Sequence, residues 1–418
     1  MQTRLSPEFA GTPEGLEAEA ILRKCVHCGF CTATCPTYQL LGDELDGPRG
    51  RIYLMKQVLE GEKPTRKTQM HLDRCLTCRN CESTCPSGVQ YGHLLDIGRK
   101  IVDAKVPRPT PEKALRWALK EGLPSPLFAP AMKMGQAVRG LLPAALQAKV
   151  PAKQEAGAWP TRSHARKVLM LAGCVQPSMM PNINAATARV LDAAGIQTVI
   201  APKAGCCGAV KFHLNDQDGG RAEMRANIDA WWPMIASGEV EALVMNASGC
   251  GVTVREYGHF LKDEPAYAAK AQRIGELTRD LSELLPAIVA ALRQSRPERV
   301  PGPPAGDAGA GRHLAFHPPC SLQHGQQLRG GVEQHLAAFG FKVQVARSES
   351  HLCCGSAGTY SVLNPDLSHK LRDRKLGHLG ELEPDVIVSA NIGCITHLQS
   401  GTPTPVRHWV EVLDEHLR

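Results

Sequence analysis

The sequence predicts an α/β protein in which a helical N-terminal domain precedes two duplicated domains, each built on a parallel sheet. After position 166, short apolar runs alternate with segments of helical periodicity, which is the pattern of parallel α/β sheets. A pattern of four cysteines occurs twice in this region with similar intervals, which indicates internal duplication. Before position 106, by contrast, helical periodicity surrounds two cysteine-rich loops.

These observations divide the chain into segments. They are a helical domain at 1–105, a helical connector at 106–160, a first α/β domain at 161–295, a Pro/Gly linker at 296–312 and a second α/β domain at 313–418. In the helical domain, Ile52, Met55 and Leu59 have helical spacing, and so do the apolar residues of 94–101. The predicted strands are 168–172, 199–200 and 242–245 in the first α/β domain and 313–317, 341–345 and 386–389 in the second.

Length and composition are those of a soluble globular protein. A chain of 418 residues is long enough for several domains of about 150 residues each. The apolar share is 43%, and no apolar run approaches the roughly 18 residues that span a bilayer. The segment MQTRLSPEFA lacks the apolar stretch of a secretory signal. We therefore expect a cytoplasmic protein with no transmembrane segment, whose cysteines stay reduced.

The net charge of +7 is spread thinly along the chain, without a block of like charges or interleaved aromatic residues. This distribution argues against a nucleic-acid partner. It leaves open a mildly basic exterior, or attraction to an acidic partner subunit or to an anionic membrane surface.

Eight of the 16 cysteines form two copies of the run C-x2-C-x2-C-x3-C-P. The first copy contains Cys25, Cys28, Cys31 and Cys35, and the second contains Cys75, Cys78, Cys81 and Cys85. This is the run of bacterial two-cluster ferredoxins, in which the fourth cysteine ligates the other cluster. We therefore predict two [4Fe–4S] clusters. Cluster 1 is assigned to Cys25, Cys28, Cys31 and Cys85, and cluster 2 to Cys75, Cys78, Cys81 and Cys35.

Zinc is the main alternative, because it also takes sites of four thiolates. Its usual pattern is two separate C-x-x-C pairs rather than four cysteines within eleven residues. The spacing therefore favours iron–sulfur clusters. A zinc-stabilised scaffold would give a colourless protein with little iron.

The other eight cysteines form a looser pattern that also occurs twice. The first copy contains Cys174, Cys206, Cys207 and Cys250, and the second contains Cys320, Cys353, Cys354 and Cys394. The single cysteines follow predicted strands, and ligand sites of open α/β sheets lie at the carboxyl ends of the strands. The four thiols of each copy are therefore expected to converge at one edge.

Three interpretations of these eight cysteines remain open from their residues alone. In the first, the cysteines are metal ligands that hold one or two further iron–sulfur clusters. In the second, they form a thiol–disulfide centre that takes and gives two electrons. In the third, they are small buried apolar residues. A matching duplication argues against the last. Each copy contains two adjacent cysteines that are followed by a glycine, and a glycine allows another part of the chain to approach the backbone closely.

This pattern resembles the cysteine-rich "CCG" domain of heterodisulfide reductase subunits, C-x(n)-C-C-G-x(n)-C-x-x-C, which binds an unusual iron–sulfur cluster. The last cysteine of that pattern is replaced by Thr253 in the first copy and by His397 in the second. The resemblance then implies a conventional four-cysteine cluster or none, with His397 as a candidate ligand. The second copy reads His317-Pro318-Pro319-Cys320 where relatives can carry an extra cysteine, so that ligand is not expected here.

Longer segments resemble the iron–sulfur subunits of bacterial glycolate oxidase, also called glycolate dehydrogenase. They are CVHCGFCTATCPTYQLLGDELDGPRGRIYLMKQVLEG, HLDRCLTCRNCESTCPSG, NIDAWWP, SHLCCGSAGTY and SANIGCITHL, which are distributed over almost the full length.

The resemblance implies a subunit that is not catalytic alone. FAD in partner flavoprotein subunits, not in this chain, would oxidise glycolate to glyoxylate. This chain would relay the electrons toward membrane quinone, from a peripheral position on the cytoplasmic face of the inner membrane. The alternative is a heterodisulfide-reductase-like or lactate-oxidising complex whose CCG domains carry the redox chemistry.

Overall fold

A computed structural model describes residues 1–147, 149–303 and 312–418. A helical N-terminal region is followed by two four-stranded parallel sheets, which confirms the predicted fold class. Positions 304–311, which belong to the predicted linker, lie outside the described residues. The described part of that linker forms a 3-10 turn at Pro297–Arg299, after which Val300 is buried in the core.

The N-terminal region is built from short helices around the two cysteine-rich loops. They are α1 Pro13–Lys24, α2 Phe30–Ala33, α3 Pro36–Leu41, α4 Pro48–Leu59, α5 Arg66–Asp73, α6 Asn80–Thr84 and α7 Tyr91–Lys105, with a 3-10 turn at Glu44–Asp46. The two helices expected from apolar periodicity are α4 and α7, and they pack on each other. Their approach is close, because a Cβ atom at Gly98 would lie 2.4 Å from Met55 Sδ.

The connector continues from α7 as helices α8 Thr110–Gly122, α9 Phe128–Ala137 and α10 Ala144–Gln147, with a 3-10 turn at Arg139–Leu141. Two arginines fix its beginning to α5. Arg108 Nη1 lies 2.6 Å and Arg116 Nη2 lies 3.1 Å from the carboxylate of Asp73. Further along, the connector presents large apolar side chains to solvent, including Trp117 and Leu127.

The first α/β domain contains β1 Arg166–Met170, β2 Ile196–Val199, β3 Ala242–Met245 and β4 Thr278–Asp280. All pairings are parallel and the strand order is β2-β1-β3-β4. The first three strands were predicted from their apolar runs, whereas β4 was not. The helices are α11 Gln176–Met179, α12 Pro181–Ala193, α13 Ala209–His213, α14 Gln217–Ala236, α15 Ser248–Arg255, α16 Tyr257–Phe260, α17 Ala268–Leu277 and α18 Leu285–Ser295, with a 3-10 turn at Leu281–Leu284.

The second α/β domain repeats this topology with β5 His313–Phe316, β6 Lys342–Val345, β7 Val386–Ser389 and β8 Val406–His408 in the order β6-β5-β7-β8. Its helices are α19 Gly331–Ala337, α20 Tyr360–Leu363, α21 Pro365–Gly380, α22 Ile392–Gln399 and α23 Trp409–Leu417, with a π-helical turn at Ser321–Gly325. The two domains also agree in the last strand of each sheet. Asp280 and His408 are the last residues of β4 and β8, they have the same register, and each caps the helical segment that follows.

The two α/β domains face each other through the carboxyl ends of their strands. Ser248 N donates to Ala390 O at 3.1 Å, and His408 Nε2 donates to Asn246 O at 2.9 Å. One hydrophobic core cluster contains buried residues from both sheets. Beside it, Arg189 on α12 pairs with Asp414 on α23. The segments that follow β3 and β7, which carry Cys250 and Cys394, therefore meet between the two sheets.

The helical domain packs on both copies. Arg79 and His93 bind the carboxylate of Glu256 in the first copy, with Arg79 Nη2 2.7 Å from Glu256 Oε2. Burial alone would raise the pKa of Glu256, but the hydrogen bonds from His93 and Arg79 lower it to about 2. Toward the second copy, Asn80 Nδ2 donates to His351 O at 3.2 Å, and Ser83 Oγ lies 2.9 Å from His324 Nδ1.

We expect Glu256→Gln to weaken this packing, because the guanidinium of Arg79, only 9% exposed, would keep its charge without a carboxylate partner. The expected loss of unfolding free energy is about 1–3 kcal/mol. It is measured by thermal or denaturant unfolding under anaerobic conditions. Glu241→Gln is the matched control, because its ion pair with Arg166 is exposed and should contribute less than about 1 kcal/mol. Equal destabilisation by the two variants would contradict the docking role of Glu256.

Candidate metal centres

The two cysteine-rich loops of the helical domain have the same backbone conformation. The second and fourth residues after the first cysteine are left-handed in both, at His27 and Gly29 with φ of 56° and 87°, and at Thr77 and Arg79 with φ of 54° and 58°. Such a conformation is costly for residues other than glycine and persists where the surroundings require it. Here it brings two thiols before each short helix and the third thiol, in the first turn of α2 or α6, to the same cavity.

The first three thiols of the first loop share a cavity with a distant fourth. Its lining includes Cys25, Cys28, Cys31 and Cys85, together with Cys81 of the second loop, and its volume is about 440 Å³ including open solvent. Cys85 arrives from the end of α6, and α6 packs on α2. The structure thus brings together the four residues predicted for cluster 1.

A second cavity of about 310 Å³ is lined by Cys75, Cys78, Cys81 and Cys35, the four residues predicted for cluster 2. Cys35 precedes Pro36, the first residue of α3, so the proline turns the chain away directly after the thiol. The guanidinium of Arg51 also lines this cavity and is fully buried between Asp46 and Thr37.

Burial opposes the ionisation of thiols in both cavities. Burial, followed by the charge of Cys25, raises the pKa of Cys31 to about 11, and burial raises the pKa of Cys81 well above its usual value. Thiols in such a position ionise when a metal ion binds them. All the described cysteines are free rather than disulfide-bonded. Each set of four around its cavity therefore fits an iron–sulfur cluster, and the ligand assignment stays a prediction.

A third group of thiols lies in the first α/β domain. Cys174 contacts Cys206, Cys206 contacts Cys207, and Cys207 contacts Cys250. The hydrogen bonds from Cys174 and Cys207 lower the pKa of Cys206, and Gly208 N lies 3.5 Å from its sulfur. The predicted convergence of four thiols at the edge of the sheet is therefore present in the first copy.

A fourth group repeats this chain of contacts in the second copy, from Cys320 through Cys353 and Cys354 to Cys394. It also reaches the helical domain, because the thiol of Cys320 contacts Cys78. Cys320 belongs to a small hydrophobic cluster with Leu76 and Tyr360, and Cys78 packs against this cluster. The second copy and the second ferredoxin-type cavity are thus direct neighbours.

Comparison with known proteins agrees with this division of the thiols. Residues 21–89 match the family described as 4Fe-4S dicluster domain, and residues 168–255 and 314–399 match the family described as Cysteine-rich domain. The glycolate oxidase iron-sulfur subunit of Escherichia coli (strain K12) is 55% identical, and the alignment covers 100% of this chain and 99% of that protein. The chain belongs to the family of glycolate oxidase iron–sulfur subunits.

More distant relatives share part of the same organisation. A probable glycolate oxidase iron-sulfur subunit of Bacillus subtilis (strain 168) is 31% identical over 92% of this chain and 89% of its own length. Lactate utilization protein A of Bacillus licheniformis is 26% identical over 59% of this chain and 99% of its own length. The resemblance drawn from the cysteine segments is thereby confirmed, and this family is one of oxidoreductase subunits.

Two polar residues beside the thiols were not predicted from the sequence as candidate ligands. Glu223 on α14 contacts Cys206, and burial and then the charge of Cys206 raise the pKa of Glu223 to about 8. His317, at the end of β5, has a ring nitrogen within 4.8 Å of the sulfurs of Cys354 and Cys394. Glu223 could not be predicted from the sequence, since it lies in the middle of a helix and belongs to no motif. His317 could have been considered as a ligand, because it lies only three residues before Cys320.

The residues that replace the last cysteine of the CCG pattern are engaged elsewhere. Thr253 Oγ1 donates to Gly249 O at 3.3 Å, within its own helix. His397 Nε2 lies 3.0 Å from Ser368 Oγ and 3.3 Å from Ser368 O. His397 joins no group of His, Cys, Asp or Glu side chains in the described part of the chain that could hold a metal ion.

The glycine after each cysteine pair is required by the backbone. At Gly355 φ is +89°, and a Cβ atom would lie 2.4 Å from Ser368 O, a main-chain atom of α21. Gly208 in the first copy has φ of +93° and the corresponding approach to Gly220 O at 2.7 Å. This contact fixes Cys353 and Cys354 against the helix that backs the thiol group.

We expect Gly355→Ala to destabilise the second domain by roughly 1–3 kcal/mol through backbone strain and the clash with α21. Gly377→Ala, within α21, is the control, since no atom lies within 4 Å of the added methyl and the expected change is a gain of about 0.5–1 kcal/mol. Anaerobic thermal unfolding measures both. A Gly355→Ala protein as stable as the Gly377→Ala protein would contradict this role of the glycine.

Proposed function

We propose that this chain is the electron-transfer subunit of a glycolate-oxidising complex and holds iron–sulfur clusters at all four thiol groups. Cys25, Cys28, Cys31 and Cys85 hold the first [4Fe–4S] cluster, and Cys75, Cys78, Cys81 and Cys35 hold the second. Iron–sulfur clusters supply one-electron chemistry when bound. The observation that carries the proposal is the contact of Cys78 with Cys320, which joins the helical domain to the second copy.

The face around Cys28 is suited to receive electrons from a partner subunit. Cys28 is exposed, and the neighbouring side chains of Val26 and Phe30 are 69% and 62% exposed although both are apolar. Apolar side chains next to a redox site are typical of surfaces that another protein covers. We propose that a flavoprotein subunit, with FAD as the site of glycolate oxidation, docks on this face.

The isolated chain should give electron paramagnetic resonance signals of reduced iron–sulfur clusters yet leave glycolate unoxidised. In the assembled complex, glycolate should reduce those clusters, because the oxidation takes place in the partner. We expect Phe30→Asp to slow this reduction at least tenfold while the signals after dithionite reduction stay unchanged. Glycolate oxidation by the purified chain alone would refute the proposal.

The connector is suited to contact a membrane. Its exposed apolar side chains include Trp117, Leu127, Met134 and Leu141, exposed by 63–87%, and exposed Lys113 and Lys133 lie among them. Apolar and aromatic side chains accompanied by lysines are typical of helices that lie in a membrane interface. No helix in the described ranges is long and apolar enough to cross a membrane. We propose a peripheral position on the cytoplasmic face of the inner membrane, from which electrons reach quinone.

Flotation with vesicles that contain anionic lipid tests this surface. We expect the wild type to bind and Leu127→Asp together with Trp117→Asp to reduce the bound fraction severalfold. Phe30→Asp is the reciprocal control, since it changes an exposed apolar residue of the partner face and should leave vesicle binding intact. The connector variant should in turn keep its rate of cluster reduction by the partner. Vesicle binding that survives the connector substitutions would contradict this assignment.

A further inference from the structure

His317 carries a buried imidazole. It directly follows β5 and is 1% exposed, and neither ring nitrogen has a hydrogen-bond partner among the described residues. Buried polar groups in proteins are nearly always paired, so an unpaired one needs an explanation such as an ion that is bound there. The imidazole ring is a common ligand for transition metals.

The ring is aimed at the thiol group of the second copy. A ring nitrogen of His317 and the sulfurs of Cys354 and Cys394 all lie within 4.8 Å of one another. Donor atoms bound to one tetrahedral ion, with bonds of about 2.0–2.3 Å, lie roughly 3.5 Å apart. A small movement of buried side chains would therefore bring nitrogen and sulfur onto the same metal. Cys353 contacts Cys354 and Cys320, so the other two thiols of the second copy adjoin this group of three donor atoms.

The first copy lacks this nitrogen. Leu171 N donates to Val244 O and His317 N donates to Val388 O, so the two residues occupy the same position in their sheets. Leu171 is buried in an apolar cluster. The copies also differ at a second position. Glu223 on α14 corresponds to Leu371 on α21, because each lies three residues after the residue that contacts the glycine of the cysteine pair. The duplicated sites therefore offer different ligand chemistry.

We propose that His317 ligates, through a ring nitrogen, the iron–sulfur centre held by the cysteines of the second copy, whereas the first copy offers no such nitrogen. This inference rests on the proposed function, because it requires that the second copy binds a cluster. A neutral imidazole adds no negative charge, unlike a thiolate, and histidine ligation raises the potential of iron–sulfur centres. His317 would thereby set a higher potential at the centre next to Cys78 than cysteine ligation alone would.

The test uses the full chain purified anaerobically, with histidine labelled by ¹⁵N or left unlabelled, and pulsed electron paramagnetic resonance of the reduced protein. We expect one signal with a strong nitrogen coupling that changes with the histidine label. The coupling should disappear in His317→Leu, which installs the residue of the first copy. It should persist in His397→Gln, a buried histidine of the same domain that is bound to Ser368. His317→Cys should keep the iron content and shift the midpoint potential of this centre to more negative values.

The outcomes separate this inference from the proposed function. Iron that is lost in a Cys353→Ser, Cys354→Ser double variant shows that the second copy is loaded. If that iron is present but the wild type shows no coupling to labelled histidine, or if the coupling survives in His317→Leu, the role of His317 is refuted and the electron-transfer function stands. If the double variant loses no iron, the cluster of the second copy and the role of His317 are both refuted. The signals of the helical domain serve as the check that each variant is folded.

Discussion

The structure depends on one electrostatic constraint, which is that four thiolates cannot be buried together without a cation. Burial raises the pKa of Cys31 to about 11 and the pKa of Cys81 well above its usual value, so these thiols remain neutral until metal is bound. Positive side chains of the protein compensate only part of the negative charge of the thiolates. An example is the buried guanidinium of Arg51 beside the second cavity. Metal binding and the folding of the loops are therefore coupled. Cys35 and Cys85, the fourth thiols of the two loops, each line the cavity of the other loop. Both loops therefore depend on the binding of metal at both cavities.

The sequence predicted the parts of the structure that are encoded by local patterns. Apolar runs gave three strands of each sheet, and the cysteine spacing gave the residues that line both cavities. The strands β4 Thr278–Asp280 and β8 Val406–His408 were missed, because each has three residues of mixed polarity and is defined by its neighbour in the sheet. The contact of Cys78 with Cys320 was equally invisible, since it joins domains far apart in the sequence.

The two copies differ in the side chains beside their thiols, and only the structure shows this difference. Both copies keep the same strand order, the same four-thiol chain and the same glycine contact. Their surroundings have diverged, with Glu223 beside Cys206 in one and His317 beside Cys354 in the other. In the second copy, Cys320 contacts a ferredoxin-type thiol, Cys78, directly. The thiol groups of the two copies therefore have different positions along the proposed path of the electrons, and the side chains beside them differ as well.

The most direct test of the account is the iron and acid-labile sulfide content of the anaerobically purified chain. Clusters at the two ferredoxin-type sites alone correspond to about eight irons per chain, whereas loading of the duplicated domains adds at least about four more. The account predicts about twelve or more irons with a similar amount of sulfide. A value near eight would contradict the claim that the duplicated domains hold clusters, and zinc in place of iron would contradict the electron-transfer function itself.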